Sequence, residues 1–278
     1  MDSNQIIQTA LSEDIGPGDI TTNSVVPSDA VITAELWGKE DGILCGKDMF
    51  IRTFLAVSAD ITFDFTASDG TRFKKNTRLA VFKGPASAIL MAERTALNFI
   101  QMLSGIATKV SKYTRVLKDH NSNIKILDTR KTVPLYRKLS KYAVRVGGGT
   151  NHRFGLFDAV LIKENHLLFH PTLRDAVQAA KTHNRMHKVE VEVKSIEEVK
   201  EVLPAEPDII MLDNFKINDI PVAAKIIKSF NRNILIELSG NVTAENIAEY
   251  ADFNIDFISI GDLTKNISVI DFSLLLKS

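Results

Sequence analysis

Apolar residues change their rhythm near residue 122 of this chain. Before it, alternating and helix-like patterns succeed one another irregularly, which predicts an α+β arrangement. A short helical run at 6–11 ends at the turn Gly16-Pro17-Gly18. The stretch TAELWGKEDGILCG alternates and contains Asp41-Gly42, a hairpin signal. A second pair of strands, at 61–66 and 79–82, flanks Asp69-Gly70. From 86 to about 120 the period is helical, with a break expected at Ser104-Gly105, where the domain boundary is placed.

Beyond 122, short β-rich runs recur at 125–127, 159–162, 189–193, 209–212, 234–238 and 257–260. Helical stretches at 172–183, 196–203, 217–230 and 244–251 lie between most of them. Nearly continuous apolar strands alternating with helices indicate a parallel sheet with helices outside. The regular spacing suits a (β/α) barrel, and an open doubly wound sheet has the same pattern.

Each of these strands runs into polar residues. The first leads to Asp128, Thr129, Arg130 and Lys131, and the second ends at Lys163-Glu164-Asn165-His166. The third holds Glu190 and Glu192, and the fourth ends at Asp213-Asn214. Ser239-Gly240-Asn241 and Ile260-Gly261-Asp262 close the fifth and sixth. In a parallel barrel these strand ends form the rim where ligands bind.

Overall charge makes this cluster more telling. Lys plus Arg and Asp plus Glu both count 34, so the formal charge is zero and a general nucleic-acid binder is not expected. Arg130, Lys131 and Lys163 at one rim, joined by His152 and Arg153 if the segment RVGGGTNHRFG folds over it, therefore suggest a local anion site. Such cations repel one another without an anion, by about 4 kcal/mol per pair at about 4 Å and an effective dielectric near 20. Glu192 and Asp213 beside them imply a divalent cation or ribose hydroxyls, and Mg²⁺ with substrate phosphates is the usual arrangement. Glycines at Gly240 and Gly261 let a backbone approach a phosphate.

Several features also have plain structural explanations. Gly147–Gly149 suits a turn, and VEVEV suits a strand with one exposed face. His183 and His187 have helical spacing and no third ligand, which suits a solvated face. His166 and His170 are ambiguous. Cys45, the single cysteine, suits a buried position and a reducing cytoplasm. The N-terminus has no signal-peptide pattern and no window spans a bilayer, so a cytoplasmic protein without membrane partners is expected.

The motif LDTRKTVPLYRKLSKYAVRVGGGTNHRFGLFDAVLIKENH closely resembles the quinolinate phosphoribosyltransferases. EDIGPGDITT, AERTALNFIQMLSGIAT, DIIMLDN, ELSGN and ISIGDLT extend the likeness over nearly the whole chain. The resemblance implies an incomplete α/β (TIM-like) barrel at 106–264 and an N-terminal α+β open sandwich domain at 1–105, with the segment from about 265 to 278 returning to it. It implies that quinolinate and phosphoribosyl pyrophosphate become nicotinate mononucleotide, pyrophosphate and CO₂, with Mg²⁺ and no organic cofactor.

By position, Arg130, His152 and Arg153 would hold quinolinate's carboxylates. Arg94 would reach in from a neighbouring subunit of a homodimer or larger assembly with shared sites. Lys131 and Lys163, with Thr129 nearby, would meet both substrates, and Glu192 and Asp213 would hold ribose hydroxyls and Mg²⁺. Ser239, Gly240, Asn241, Ile260 and Gly261 would cradle the 5′-phosphate. Leu135 stands where the family often has glycine, Leu238 where alanine or valine is usual, and Asp262 and Lys265 where a small residue and histidine are common. A Schiff-base aldolase, a sugar-phosphate-binding barrel without turnover and a nicotinate-specific transferase are rivals, against which the full arginine set speaks.

Overall fold

The computed structural model describes residues 2–277. Its first strands are β1 (Val31–Gly38), β2 (Gly42–Ile43), β3 (Thr62–Phe65), β4 (Arg72–Phe73) and β5 (Thr77–Pro85). Six short strands come next: β6 (Lys125–Leu127), β7 (Val160–Ile162), β8 (Val189–Val193), β9 (Ile209–Asp213), β10 (Leu235–Ser239) and β11 (Phe257–Ser259). The last is β12 (Phe272–Lys277). The chain divides into two compact units, one of Met1–Ser111, Val133–Gly148 and Asn266–Ser278, the other of Lys112–Thr132 and Gly149–Lys265. In this division the helix Arg137–Val146 groups with the first unit.

The first unit contains an antiparallel sheet in the order β12-β1-β5-β3. The hairpin expected at Asp41-Gly42 does not form, because β2 pairs with β4. Both edges of β1 are taken, by β12 and by β5, so no ladder is left for the strand that comes after it in sequence. Phe50, Phe54 and Phe82 are fully or nearly fully buried in the core, with ring centroids 5.0 to 5.8 Å apart. Each contributes roughly 1.5–3 kcal/mol by leaving water.

The helix Ala86–Asp119 runs unbroken through Ser104-Gly105. Gly105 is not a hinge. A Cβ there would collide with the carbonyl oxygen of Ser268, so the residue allows the C-terminal segment to cross the helix at backbone distance. Glycine within a helix costs about 1 kcal/mol against alanine, which the helix tolerates for this contact.

The second unit holds a six-stranded parallel sheet in the order β6-β11-β10-β9-β8-β7. Read cyclically, that is sequence order, with the first strand bonded to the last. A doubly wound sheet would instead reverse its order at an internal switch point. The arrangement is a (β/α) barrel left open between β6 and β7, which are not bonded to each other. Side chains just beyond both edge strands line one cavity with residues of β9 and β10, so the sheet curls.

Outer helices start where their caps dictate. Thr172 and Ser195 accept the N–H groups of Asp175 and Glu198, fixing the helices Leu173–His183 and Ile196–Val202. The helix expected at 244–251 shrinks to a 3₁₀ turn, Ile247–Tyr250. Asn246 explains the loss: its side chain accepts from Thr243 N–H and donates to Asn241 C=O, holding the preceding backbone in a turn.

Candidate active site

The polar end of β6 builds the site in two ways. Asp128 is fully buried and points inward, accepting Asn151 Nδ2 at 2.6 Å and the backbone N–H of His152 at 2.9 Å. Main-chain bonds from Thr150 N–H to Ile126 C=O (2.8 Å) and from Asp128 N–H to Thr150 C=O (3.2 Å) complete the splice. Asp128 therefore fixes the loop that carries His152 and Arg153. Just beyond it, Thr129, Arg130 and Lys131 face a cavity of about 310 Å³ together with His152, Arg153 and Lys163.

That cavity is a place for anions. Arg153 donates through Nη1 to Ala159 C=O at 3.0 Å, while its Nε is buried and has no partner among the described residues. Burial, and then the charge of Arg130, hold the Arg153 guanidinium below its usual proton affinity. Two guanidiniums that repel each other in a partly dry pocket are ready for a carboxylate or phosphate.

Lys163 is steered from both sides. His166 Nδ1 accepts its backbone N–H at 2.8 Å, which gives His166 a structural role. Lys163 Nζ contacts Glu192 Oε2 at 2.7 Å.

At the floor stands a cluster that sequence alone does not assemble. His152 Nε2 lies 3.0 Å from Glu190 Oε2 and 3.4 Å from Glu237 Oε2, with both glutamates buried. Arg153 N–H donates to His152 Nδ1 at 2.7 Å, so Nδ1 is proton-free and Nε2 carries the ring hydrogen. Burial opposes a charged ring and the two carboxyl groups favour it; the occupied Nδ1 blocks the second proton that charging requires. Glu190 is held above its usual range by burial, with Glu237's charge adding to the rise against the opposing His152 bond. Alternation in VEVEV puts Glu190 and Glu192 on one face, yet the meeting of Glu190 and Glu237 at His152 is a product of the tertiary fold.

A second cavity, about 450 Å³, opens beside the first and shares Thr129, Lys131, Ser239 and Ser259 with it. Asp213, Gly240, Asn241, Ile260, Gly261, Asp262 and Lys265 also line it. Asn214, Gly240 and Asn241 all have positive φ, at 54°, 99° and 56°, which glycine and asparagine adopt most readily. A side chain at Gly240 would collide with the Asn214 amide. Another cavity, about 1030 Å³, is an open groove along the end of the helix Ile220–Phe230, whose Lys228 is already bonded to Asp256 and Ile234 C=O.

Most residues expected at the rim thus line one of two joined cavities. Glu192 joins through Lys163. Arg94 lines neither; it is exposed on the helix Ala86–Asp119 of the first unit. His183 bonds back to Ala179 C=O, as a helix-surface histidine does. Among the described residues, the one group of three or more His, Cys, Asp or Glu side chains close enough to share an ion is His152, Glu190 and Glu237.

Residues 19–104 match the quinolinate phosphoribosyl transferase N-terminal domain and 106–275 its C-terminal domain. The chain belongs to the quinolinate phosphoribosyltransferase family. It is 42% identical over 275 residues to a protein of Methanocaldococcus jannaschii named "Probable nicotinate-nucleotide pyrophosphorylase [carboxylating]", covering 97% of this chain and 95% of that one. The solved nicotinate-nucleotide pyrophosphorylase of Francisella tularensis superposes with a TM-score of 0.93 at 40% identity, over 100% of this chain and 98% of the other. NadC from Streptococcus pyogenes superposes with a TM-score of 0.94 at 37% identity, over 99% and 96% of the two chains. Family membership makes the protein an enzyme of the pentosyltransferase class. None of its described helices is long and apolar enough to cross a membrane.

Proposed function

We propose that this member of the family makes nicotinate mononucleotide, pyrophosphate and CO₂ from quinolinate and phosphoribosyl pyrophosphate. Quinolinate occupies the smaller cavity and the phosphoribosyl group the larger. The observation that carries this reading is the junction: two cavities of different chemistry meet at Thr129, Lys131, Ser239 and Ser259. One offers paired guanidiniums for a flat dicarboxylate, and the other offers a glycine-rich loop for a phosphate.

Arg130 and Arg153, with His152 beside them, hold the two carboxylates and set the pyridine nitrogen toward the junction. Ser239, Gly240, Asn241, Ile260 and Gly261 take the 5′-phosphate. Lys131 and Lys163 face the departing pyrophosphate as the ribose carbon gains positive charge. Positioning two bound reactants is the main device here, because well-oriented groups gain the equivalent of roughly 7–11 kcal/mol over a bimolecular encounter. Once the ring nitrogen is alkylated it is cationic and accepts the electron pair left at C2 when CO₂ departs. The substrate is its own electron sink, so the reading needs no organic cofactor.

Mg²⁺ fits as an ion carried in with the diphosphate. Asp213 presents a partly exposed carboxylate in the larger cavity, whereas Glu192 has Lys163 as its partner, so Asp213 with substrate oxygens would hold the metal. When bound, Mg²⁺ would neutralise charge on the leaving pyrophosphate.

The exposed Arg94 supports a homodimer in which that arginine completes a neighbour's site. Subunits carrying Arg94→Ala and Lys131→Ala should then regain activity on mixing; no recovery removes the shared site. The single buried Cys45 supports a reducing, cytoplasmic setting. The direct test is to incubate the purified protein with quinolinate, phosphoribosyl pyrophosphate and Mg²⁺ and look for nicotinate mononucleotide. Its absence under turnover conditions sinks the reading.

A further inference from the structure

A lysine at a cavity wall needs something to aim it, because its four-carbon stem turns freely. Lys163 Nζ is aimed by Glu192 at 2.7 Å, and the Arg153 guanidinium by Ala159 C=O at 3.0 Å. Lys131 lines both cavities, yet its ammonium has no hydrogen-bond or ion-pair partner among the described residues. Its direction therefore depends on where the backbone sets it and on what the stem lies against.

Two bonds hold that backbone. The Lys131 N–H donates to Thr129 Oγ1 at 3.0 Å, within the same loop. The Lys131 C=O accepts from Thr264 Oγ1 at 2.8 Å, across 133 positions of the chain. Among the described residues, Thr264 is the one hydrogen-bond partner that ties Lys131 to another element. Thr264 is fully buried and lines neither cavity.

The short helix Asp262–Lys265, which carries Thr264, also seats the stem. The N–H groups of Thr264 and Lys265 bond back to Gly261 C=O at 3.4 and 3.1 Å. A Cβ at Gly261 would stand 2.9 Å from Lys131 Cδ, so the stem crosses close to that glycine. A buried threonine hydroxyl that served only its own helix would bond back four residues, as Thr53 does to Met49 C=O at 2.7 Å. The Thr264 hydroxyl leaves its helix for the loop that bears the site's cations.

We propose that Thr264 is a positioning residue that sets Lys131 at the junction of the two cavities. The inference rests on the proposed reaction and names a residue outside both cavities on which its leaving-group step depends. Thr264 touches no substrate. Without its hydroxyl the Lys131 carbonyl loses its tether, the loop relaxes and the ammonium shifts. A misplacement of about 1 Å costs roughly 100-fold in rate.

Thr264→Val keeps the branched shape and removes the donor. In a single turnover with Mg²⁺ and both substrates it should release pyrophosphate about 10- to 100-fold more slowly, with quinolinate bound within about threefold of wild type. Thr264→Ser retains the hydroxyl and should recover most of the rate. Introduced into Lys131→Ala, the valine substitution should slow the residual rate by less than about threefold, because no ammonium is left to misplace.

An undiminished effect in the Lys131→Ala background, serine no better than valine, or an unchanged rate in Thr264→Val overturns the proposal. If the valine variant does not fold, Thr264→Ala takes its place, and failure of both to fold makes Thr264 a residue of the fold alone. Calorimetric titration of pyrophosphate with Mg²⁺ reads the same contact without turnover. Thr264→Val should weaken that binding by about tenfold in the wild-type chain and leave it unchanged in Lys131→Ala. A protein that meets this titration yet forms no nicotinate mononucleotide fails at the proposed reaction, with the positioning of Lys131 intact.

Discussion

Removing the Asp128 carboxylate should do more damage than removing any of the cations it stands beside. In Asp128→Ala, the His152 backbone N–H and the Asn151 amide lose acceptors at 2.9 and 2.6 Å, in a place with no solvent to replace them. Hydrogen bonds to a charged group contribute about 1.5–3 kcal/mol each, so two give a loss of roughly 3–6 kcal/mol. For a chain of this size each kcal/mol moves the melting temperature by about 2–4 °C, so a fall on the order of 10–20 °C is expected.

The loop at 150–153 would also lose its anchor, and with it the placement of His152 and Arg153. Thermal melting monitored by circular dichroism, paired with calorimetric titration of quinolinate, reads both effects. Asp128→Asn keeps an acceptor for the backbone N–H but opposes its own amide to that of Asn151, so it should fall between wild type and alanine. If Asp128→Ala melts within about 3 °C of wild type and binds quinolinate normally, the carboxylate does not organise the site and the reasoning fails.

The same geometry carries further expectations. Arg153→Ala should weaken quinolinate binding by tenfold or more, about 1.4 kcal/mol, while phosphoribosyl pyrophosphate binding changes far less; equal losses in titrations of both ligands would move Arg153 out of the quinolinate cavity. Leu135, at φ 64° and 72% exposed, is held where a Cβ costs about 1–2 kcal/mol. Leu135→Gly should therefore leave the melting temperature unchanged or raise it by a few degrees, and a clear fall would mean the leucine makes a contact of its own. Glu190 releases its proton near 4.5 when unfolded and is held up to about 7 when folded. The folded state thus retains a proton that the unfolded state gives up, and stability should decline as pH rises through that window. Melting at pH 5 and pH 7.5 should show the decline in wild type and a smaller one in Glu190→Gln.

Much of the barrel was legible because buried parallel strands must be apolar and their ends must be polar wherever ligands meet the rim. The runs at 125–127 through 257–260 carry that signal, and Arg130, Lys131, Lys163, Asp213 and Ser239 emerge from it directly. Arg153 and His152 lie on a loop, and the sequence placed them at the rim only on condition that the loop folds inward. Asp128 meets that condition, yet a buried staple and a ligand-binding aspartate look alike in one dimension.

The errors share a cause. Asp41-Gly42 has the composition of a hairpin turn, but the partner of β1 is chosen by which strands can bury its face, and β12 and β5 do so from far along the chain. Gly105 resembles a helix break because sequence cannot reveal that Ser268 crosses there. The 244–251 helix fails because the Asn246 side chain competes for backbone groups that propensity alone assigns to the helix.

By itself, the sequence determined the periodicity of each element, the strand ends that bear charge, and the cation set suited to anionic substrates. Those properties are local, since a residue's polarity and its place in a repeat do not depend on distant partners. Only the tertiary structure decided that Glu190 and Glu237 meet over His152, that Glu192 answers to Lys163, and that the rim divides into two joined cavities. Strand register and loop closure set these relations, and both depend on contacts between residues tens of positions apart.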